Sequence, residues 1–259
     1  MEGMGILMKK EILLAIVSFF LLSLTAITGV YAFEENAKTV TISKDKVDLT
    51  GDGQDEGIYL KGVPYQEEKS FLKKIYIEVF ASNGKTYTFP LESGSKAALK
   101  LVDVNHDGLK ELFASVLTGG TSGNVINFLY SLKNFVHTDL TVPEPLEMEA
   151  KFLNGYKAEI NLPQTKKTYL FDLKNRKKYY KKLGFYYKGK LNEPTELVVN
   201  GYNSLEPIQL GGKKIGLKGI QQVTGIVDSD TIASVESIWL FDHGQWKLNS
   251  TNVSRGNTP

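Results

Sequence analysis

Along most of the chain, apolar positions alternate with polar ones in short runs. Ile75-Tyr76-Ile77-Glu78-Val79-Phe80 and Lys85-Thr86-Tyr87-Thr88-Phe89 are rich in β-branched and aromatic residues. Asn83-Gly84 stands between them and is a strong hairpin signal, because both residues tolerate the left-handed backbone a tight turn needs. Leu112 to Leu117 and Val125 to Leu132 predict a second strand pair across the glycine-rich stretch Thr118 to Asn124. Thr39-Val40-Thr41-Ile42, Ile58-Tyr59-Leu60 and Leu99 to Val102 add short strands. Gly62 to Lys74 is charged, contains Pro64 and reads as a loop. Tyr156 to Leu162 and Thr168 to Leu173 flank a turn from Pro163 to Lys167 and read as a third unit. The last third predicts strands at Thr195–Val199, Gly219–Val227 and Thr231–Phe241, then a closing hairpin through Asp242-His243-Gly244-Gln245 to Trp246-Lys247-Leu248. From Asn249 the chain is polar and reads as a flexible tail over 249–259. No long amphipathic helix is evident. The expected fold is all-β, an open or short propeller-like array of antiparallel units, with one β-repeat domain over 33–248.

Two stretches interrupt this pattern in the same way. Asp48-Leu49-Thr50-Gly51-Asp52-Gly53-Gln54-Asp55-Glu56 and Asp103-Val104-Asn105-His106-Asp107-Gly108-Leu109-Lys110-Glu111 each place oxygen side chains at positions one, three, five and nine, with Gly at six. That spacing converges alternate side chains on one hard cation, most simply calcium, and the glycine supplies the sharp turn. The expected ligands of loop 1 are Asp48, Thr50, Asp52 and Glu56, with the Gln54 carbonyl. Those of loop 2 are Asp103, Asn105, Asp107 and Glu111, with the Leu109 carbonyl. His106 sits at a non-ligand position, and imidazole is a poor calcium partner. The ordinary alternative is a pair of ion-free Asp/Asn/Gly turns. Asp48 and Asp103 lie 55 residues apart, a period that suits a repeated β-unit, with units starting near 48, 103 and 150 and a C-terminal hairpin region over 195–248. The third unit has no acidic loop at its head.

Composition adds a compartment. Lys9-Lys10, the apolar run Ile12 to Ile27 and Val30-Tyr31-Ala32 follow the basic, apolar, small-x-small order of a secretory signal peptide over residues 1–32. The alternative is a retained membrane anchor, since Ile12 to Ala32 is long enough to span a bilayer as a helix. Both place the remaining chain outside the membrane, secreted or anchored. The chain of 259 residues has no cysteine, which excludes disulfides, thiolate metal sites and a cysteine nucleophile. Lys and Arg number 31 against 29 Asp and Glu, a balance that gives no global argument for nucleic acid. Lys174 to Lys190 is locally basic and interleaved with tyrosine and phenylalanine. Lys177, Lys178, Lys181 and Lys182 would offer a surface to an anionic envelope polymer. The commoner use of such a run is a strand or loop with a solvated lysine face.

These residues carry a resemblance. Asp-x-(Asn/Thr)-x-Asp-Gly-x-x-Glu ahead of a strand resembles the calcium loop of FG-GAP and VCBS repeats, the blades of integrin α-chain propellers. Thr118 to Asn124 is similar to a loop of small VCBS-like exported proteins of Gram-positive bacteria. The closing run, Gly219-Ile220-Gln221-Gln222 through Asp230-Thr231-Ile232-Ala233 to Trp239 and Gly244-Gln245-Trp246-Lys247-Leu248, resembles the Bacillus YybI-type family of inner spore coat proteins. The resemblance implies structural calcium, export, and a place in the envelope or spore coat among other coat or envelope proteins. Two departures stand out. The repeats usually have Asp at the ninth position, where Glu56 and Glu111 stand here. The 227 residues after Ala32 allow roughly four units, too few for a seven-bladed ring.

Enzyme chemistry has little to rest on. His106, His137 and His243 form no zinc motif, there is no nucleophile elbow, and Gly211-Gly212-Lys213-Lys214 lacks phosphate-loop spacing. The sequence therefore points to a non-catalytic, calcium-stabilised protein acting by binding or assembly. The alternative is an exported wall-polymer hydrolase with structural calcium, for which Glu236 is the first carboxylate to inspect. A membrane-tethered sensor is a third reading, if the apolar N-terminal run is retained.

Overall fold

The computed structural model describes residues 38–65, 68–119, 125–212 and 214–256. The stretch read as a signal peptide or anchor lies outside them. Among the described residues no helix is long and apolar enough to cross a membrane.

The chain builds successive antiparallel meanders. Val40–Val47 (β1), Glu56–Tyr65 (β2), Glu68–Phe80 (β3) and Thr86–Leu91 (β4) form the first sheet in that order. Lys96–Val102 (β5), Glu111–Leu117 (β6), Val125–Ser131 (β7) and Thr138–Asp139 (β8) form the second. Each Asp-rich loop is the connection between the first and second strands of its sheet. Glu149–Leu153 (β9), Lys157–Leu162 (β10) and Lys167–Asp172 (β11) make a three-stranded sheet. This is the third unit, whose head is the turn Asn154-Gly155-Tyr156. Tyr186–Tyr187 (β12) and Lys190–Leu191 (β13) form a small hairpin. Val198–Gln209 (β14), Ile215–Thr224 (β15), Thr231–Asp242 (β16) and Gln245–Arg255 (β17) form the last and longest meander. The fold is mainly β, with no closed barrel.

Apolar periodicity decides how the sheets stack. β2 alternates, and its Ile58 and Leu60 join Ile75, Ile77, Val79 and Phe89 in a core against the second sheet. β6 does not alternate, because it is buried on both faces. Its Leu112, Ala114 and Val116 face the first sheet, while Phe113 packs with Leu205 and Leu217 of the last sheet. Val223, Val235 and Trp239 of the last sheet share a core with Phe152 and Ile160 of the three-stranded sheet.

Two buried polar contacts fix this arrangement. Gln221, 1% exposed, accepts the Leu146 N–H at 2.8 Å and donates to the Leu146 carbonyl at 3.2 Å, so it pins the crossing segment between β8 and β9. Asp230 is fully buried and accepts from Arg176 and, at 2.8 Å, from the Tyr180 hydroxyl. A Cβ at Gly225 would lie 2.1 Å from the Asp230 carboxylate, so the close approach there requires glycine.

Four expectations need correction. Gly62–Lys74 is not a loop: β2 and β3 run through most of it, and Pro64 sits where the strand register shifts, a place that tolerates a missing N–H. The segment 249–255 is not a flexible tail, because β17 continues to Arg255, pairs with β16 and tucks Val253 against the core. The basic run is neither strand nor long loop. It forms a one-and-a-half-turn helix, Lys177–Lys182 (α1), followed by the β12–β13 hairpin, because Tyr180 and Tyr186 are drawn into the core. Thr195–Val199 is mostly irregular, and the strand that follows is β14, whose Asn, Gly and Pro residues conceal it.

Candidate metal-binding loops

The two loops lie side by side. A Cβ on Gly51 of loop 1 would meet the Leu109 side chain of loop 2 at 3.2 Å. The turn after β7 laces them together. Asn134 donates its N–H to the Thr50 carbonyl at 2.9 Å, and the Lys133 ammonium lies 2.9 Å from Asp107 Oδ2. Asn134 and Phe135 hold left-handed backbones at φ 54° and 61°, conformations that cost non-glycine residues energy and persist only where surroundings impose them.

The ninth-position glutamates do the same work in both loops. Glu56 Oε2 accepts the Leu49 N–H at 2.7 Å, and Glu111 Oε2 accepts the Val104 N–H at 2.8 Å. Each carboxylate is buried and braces its loop back to the second position, whose side chain, Leu49 or Val104, is itself buried in a core. The longer side chain at position nine is therefore used to close the loop from within.

The loops differ in what remains. In loop 1, Asp48 Oδ1 accepts from the N–H groups of Thr50 and Gly51, and its Oδ2 accepts from Gly53. The Gly51 N–H, helped by those of Gly53 and Thr50, outweighs the small effect of burial and holds the Asp48 carboxyl below the usual aspartate value. Asp52 accepts from the Gln54 N–H and the Ser82 hydroxyl, and Glu56 Oε1 accepts the Ser82 N–H at 3.4 Å. Thr50 is 1% exposed, with its hydroxyl 3.5 Å from Asp48 Oδ1.

In loop 2, Asp103 Oδ2 accepts the Gly108 N–H at 3.1 Å, Asn105 Oδ1 accepts that of Asp107, and Asp107 Oδ1 accepts that of Leu109. Asp103 Oδ1 and Glu111 Oε1 are buried with no hydrogen-bond partner. Burial first, then repulsion from Asp107 and Asp103, pushes the Glu111 carboxyl up to about 7. Burial acts on Asp107 too, but the Leu109 N–H and Lys133 outweigh it and keep that group low. His106, with φ 62°, accepts the Ile215 N–H at 3.0 Å and ties loop 2 to the last sheet.

Calcium fits loop 2 on this chemistry. Its donor set is all oxygen, and two of its buried carboxylate oxygens have no partner although Lys133 pairs with Asp107. Loop 1 satisfies its own oxygens. As placed, no three His, Cys, Asp or Glu side chains among the described residues stand preformed around one point. Sequence reasoning missed Ser82, Lys133 and Asn134, which come from other turns and carry no local metal signature. Lys177, Lys178, Lys181 and Lys182 are all exposed and lie away from the loops, on α1. Glu236 is half-buried on the last sheet, 3.5 Å from Lys218.

Comparisons with known proteins cover the C-terminal part by a family model and most of the chain by one relative. Residues 146–254 match the family model described as the YybI C-terminal domain. That span begins where Gln221 grips Leu146 and excludes both Asp-rich loops. Over 237 residues the chain is 22% identical to YybI of Bacillus subtilis (strain 168), described as uncharacterized, covering 86% of this chain and 88% of that protein. The chain is thus YybI-like over most of its length. A solved structure of the exotype rhamnogalacturonan lyase YesX overlaps 83% of this chain at 14% identity and a TM-score of 0.37. The chain spans about a third of that structure's length, 33%.

Proposed function

We propose that this YybI-like chain is a non-catalytic, calcium-stabilised β-protein that acts by binding or assembly outside the cytoplasmic membrane, in the cell envelope or spore coat. Loop 2 is the principal calcium site, with Asp103, Asn105, Asp107 and Glu111 supplying side-chain oxygens and Leu109 a carbonyl. Loop 1 is a weaker site on the FG-GAP/VCBS pattern, because Asp48 and Glu56 already have internal partners. The observation that supports this most is the pair of orphaned oxygens, Asp103 Oδ1 and Glu111 Oε1. A bound dication would pair both, relieve the repulsion that raises Glu111, and stabilise folded over unfolded chain by mass action. In a cysteine-free exported protein that staple replaces what disulfides often supply.

Thermal unfolding with calcium, with magnesium and with chelator tests the reading. Calcium at millimolar concentration raises Tm by several degrees and magnesium does so less. The rise disappears in Asp103→Ala. An equal Tm in chelator and in calcium contradicts the proposal.

A further inference from the structure

The unit formed by α1 and the β12–β13 hairpin combines three features that the fold does not need. The first is uncompensated charge. Lys177, Lys178, Lys181 and Lys182 are exposed on α1, and Lys188 and Lys190 are exposed on the hairpin. Among the described residues none of these six forms an ion pair; Lys177 and Lys188 instead lie over the rings of Tyr156 and Tyr187. Lys177–Lys181 and Lys178–Lys182 are like-charge pairs at helical i,i+4 spacing, which weaken a helix in the absence of an anion.

The second is exposed apolar bulk that lies between Lys182 and Lys188 along the chain. Leu183, at the end of α1, is 50% exposed and Tyr187 is 66% exposed. Their neighbours Tyr180 and Tyr186 are buried, so the core has already taken the side chains it needs.

The third is backbone strain held rigidly. Lys188 has φ 49° and Gly189 φ 83° in the two-residue turn between Tyr187 and Lys190. Asn is the residue favoured at the first position, and a lysine there sits in a conformation that disfavours it. The turn is not loose. The Gly189 carbonyl accepts the Gly155 N–H at 2.7 Å, the Leu191 N–H reaches Asn154 Oδ1 at 2.9 Å, and the Tyr186 hydroxyl donates to the Leu153 carbonyl at 2.9 Å.

We infer that this helix–hairpin unit docks on an anionic phospholipid surface, with Leu183 and Tyr187 entering the headgroup region and the six lysines meeting lipid phosphates. Exposed apolar side chains interspersed with exposed lysines on a hydrogen-bonded base suit an interface, where rings and aliphatic groups bury and long cationic side chains keep their ammonium groups among the headgroups. A soluble polyanion would satisfy the lysines but would leave Leu183 and Tyr187 in water. The inference is independent of calcium binding in the loops.

The test is cosedimentation with phosphatidylcholine vesicles, with and without phosphatidylglycerol. The chain that cleavage after Ala32 would leave is used, so that the apolar N-terminal run cannot contribute. Binding is expected to the anionic vesicles only and to weaken with salt. Each of Lys178→Ala and Lys182→Ala should lower affinity about fivefold. Leu183→Ser with Tyr187→Ser, at unchanged charge, should lower it about tenfold. The same double variant should retain the parent's retention on a polyglycerol-phosphate column and its Tm, because both side chains are exposed. Two results overturn the inference. One is no difference between anionic and neutral vesicles. The other is a double variant that binds vesicles as the parent does, which would make the lysines a polyanion surface.

Discussion

Loops 1 and 2 share Asp at positions one and five, Gly at six and Glu at nine, and they place that Glu identically, on the N–H of position two. They differ in where the rest of the negative charge goes. Loop 1 spends its carboxylate oxygens on N–H groups of its own backbone and on Ser82. Loop 2 leaves Asp103 Oδ1 and Glu111 Oε1 buried and unpaired and borrows Lys133 for Asp107. The lesson is that the same spacing of oxygen side chains can be paired off internally or left partly unpaired, and that the neighbouring turns decide which. Loop 1, with Ser82, pairs its carboxylate oxygens within the protein, and loop 2 leaves two of its own unpaired.

The largest expected break in this comparison comes from the glutamates. Glu56→Ala leaves the buried Leu49 N–H and the Ser82 N–H without acceptors and should cost about 3 kcal/mol, read by urea unfolding. Glu111→Gln in chelator should instead stabilise, because it keeps an acceptor for Val104 and removes a buried charge that Asp107 and Asp103 repel. If both substitutions destabilise equally, the distinction between the loops fails.

The pH dependence follows from Glu111. Its folded-state pKa, about 7, lies above the ordinary 4.5, so the folded chain holds a proton that the unfolded chain releases. Its contribution is full below about pH 4.5, declines as pH rises towards 7 and is absent above that. In chelator the loss across this window should reach about 3 kcal/mol at most. Denaturant midpoints measured from pH 5 to 8 check it, and Glu111→Gln should flatten the curve. Saturating calcium should flatten it too, with proton release on binding near neutral pH.

Smaller effects sharpen the contact between the loops. Gly51 has φ 83° and lies against Leu109, so Gly51→Ala should cost about 1–2 kcal/mol from the left-handed backbone. It should also weaken calcium binding by loop 2, which a purely local loop 1 defect would leave alone. Lys133→Met removes a half-exposed ammonium that competes for Asp107. It should tighten calcium binding modestly, about fivefold, in line with a pair worth about 1 kcal/mol or less. Calorimetric titration of each variant reads both.

How much of this was legible in the sequence depends on how local each signal was. The first two meanders, with their Asn83-Gly84 hairpin and nine-residue loops, follow from period-two alternation and turn chemistry. β6 was readable as a strand from Leu112 to Leu117, a mostly apolar run that fits its burial on both faces. β14 was missed because its pairing with β15 overrides poor strand formers such as Asn200, Gly201 and Pro207. α1 was missed because lysines dominate its sequence while a single residue, Tyr180, anchors it from within. The two loops were readable as turns that lead into strands. The roles of Ser82, Lys133 and Asn134 were not, since they arrive from turns 26 residues or more away from the carboxylates or loop they serve.

The most direct measurement is calorimetric titration of calcium into the chain, alongside Glu111→Gln and its loop 1 counterpart Glu56→Gln. The account predicts one tighter and one weaker site in the parent chain. Glu111→Gln should abolish the tighter site, and Glu56→Gln should leave it in place. Loss of the tighter site in Glu56→Gln alone, or no heat of binding in any of the three, would contradict it.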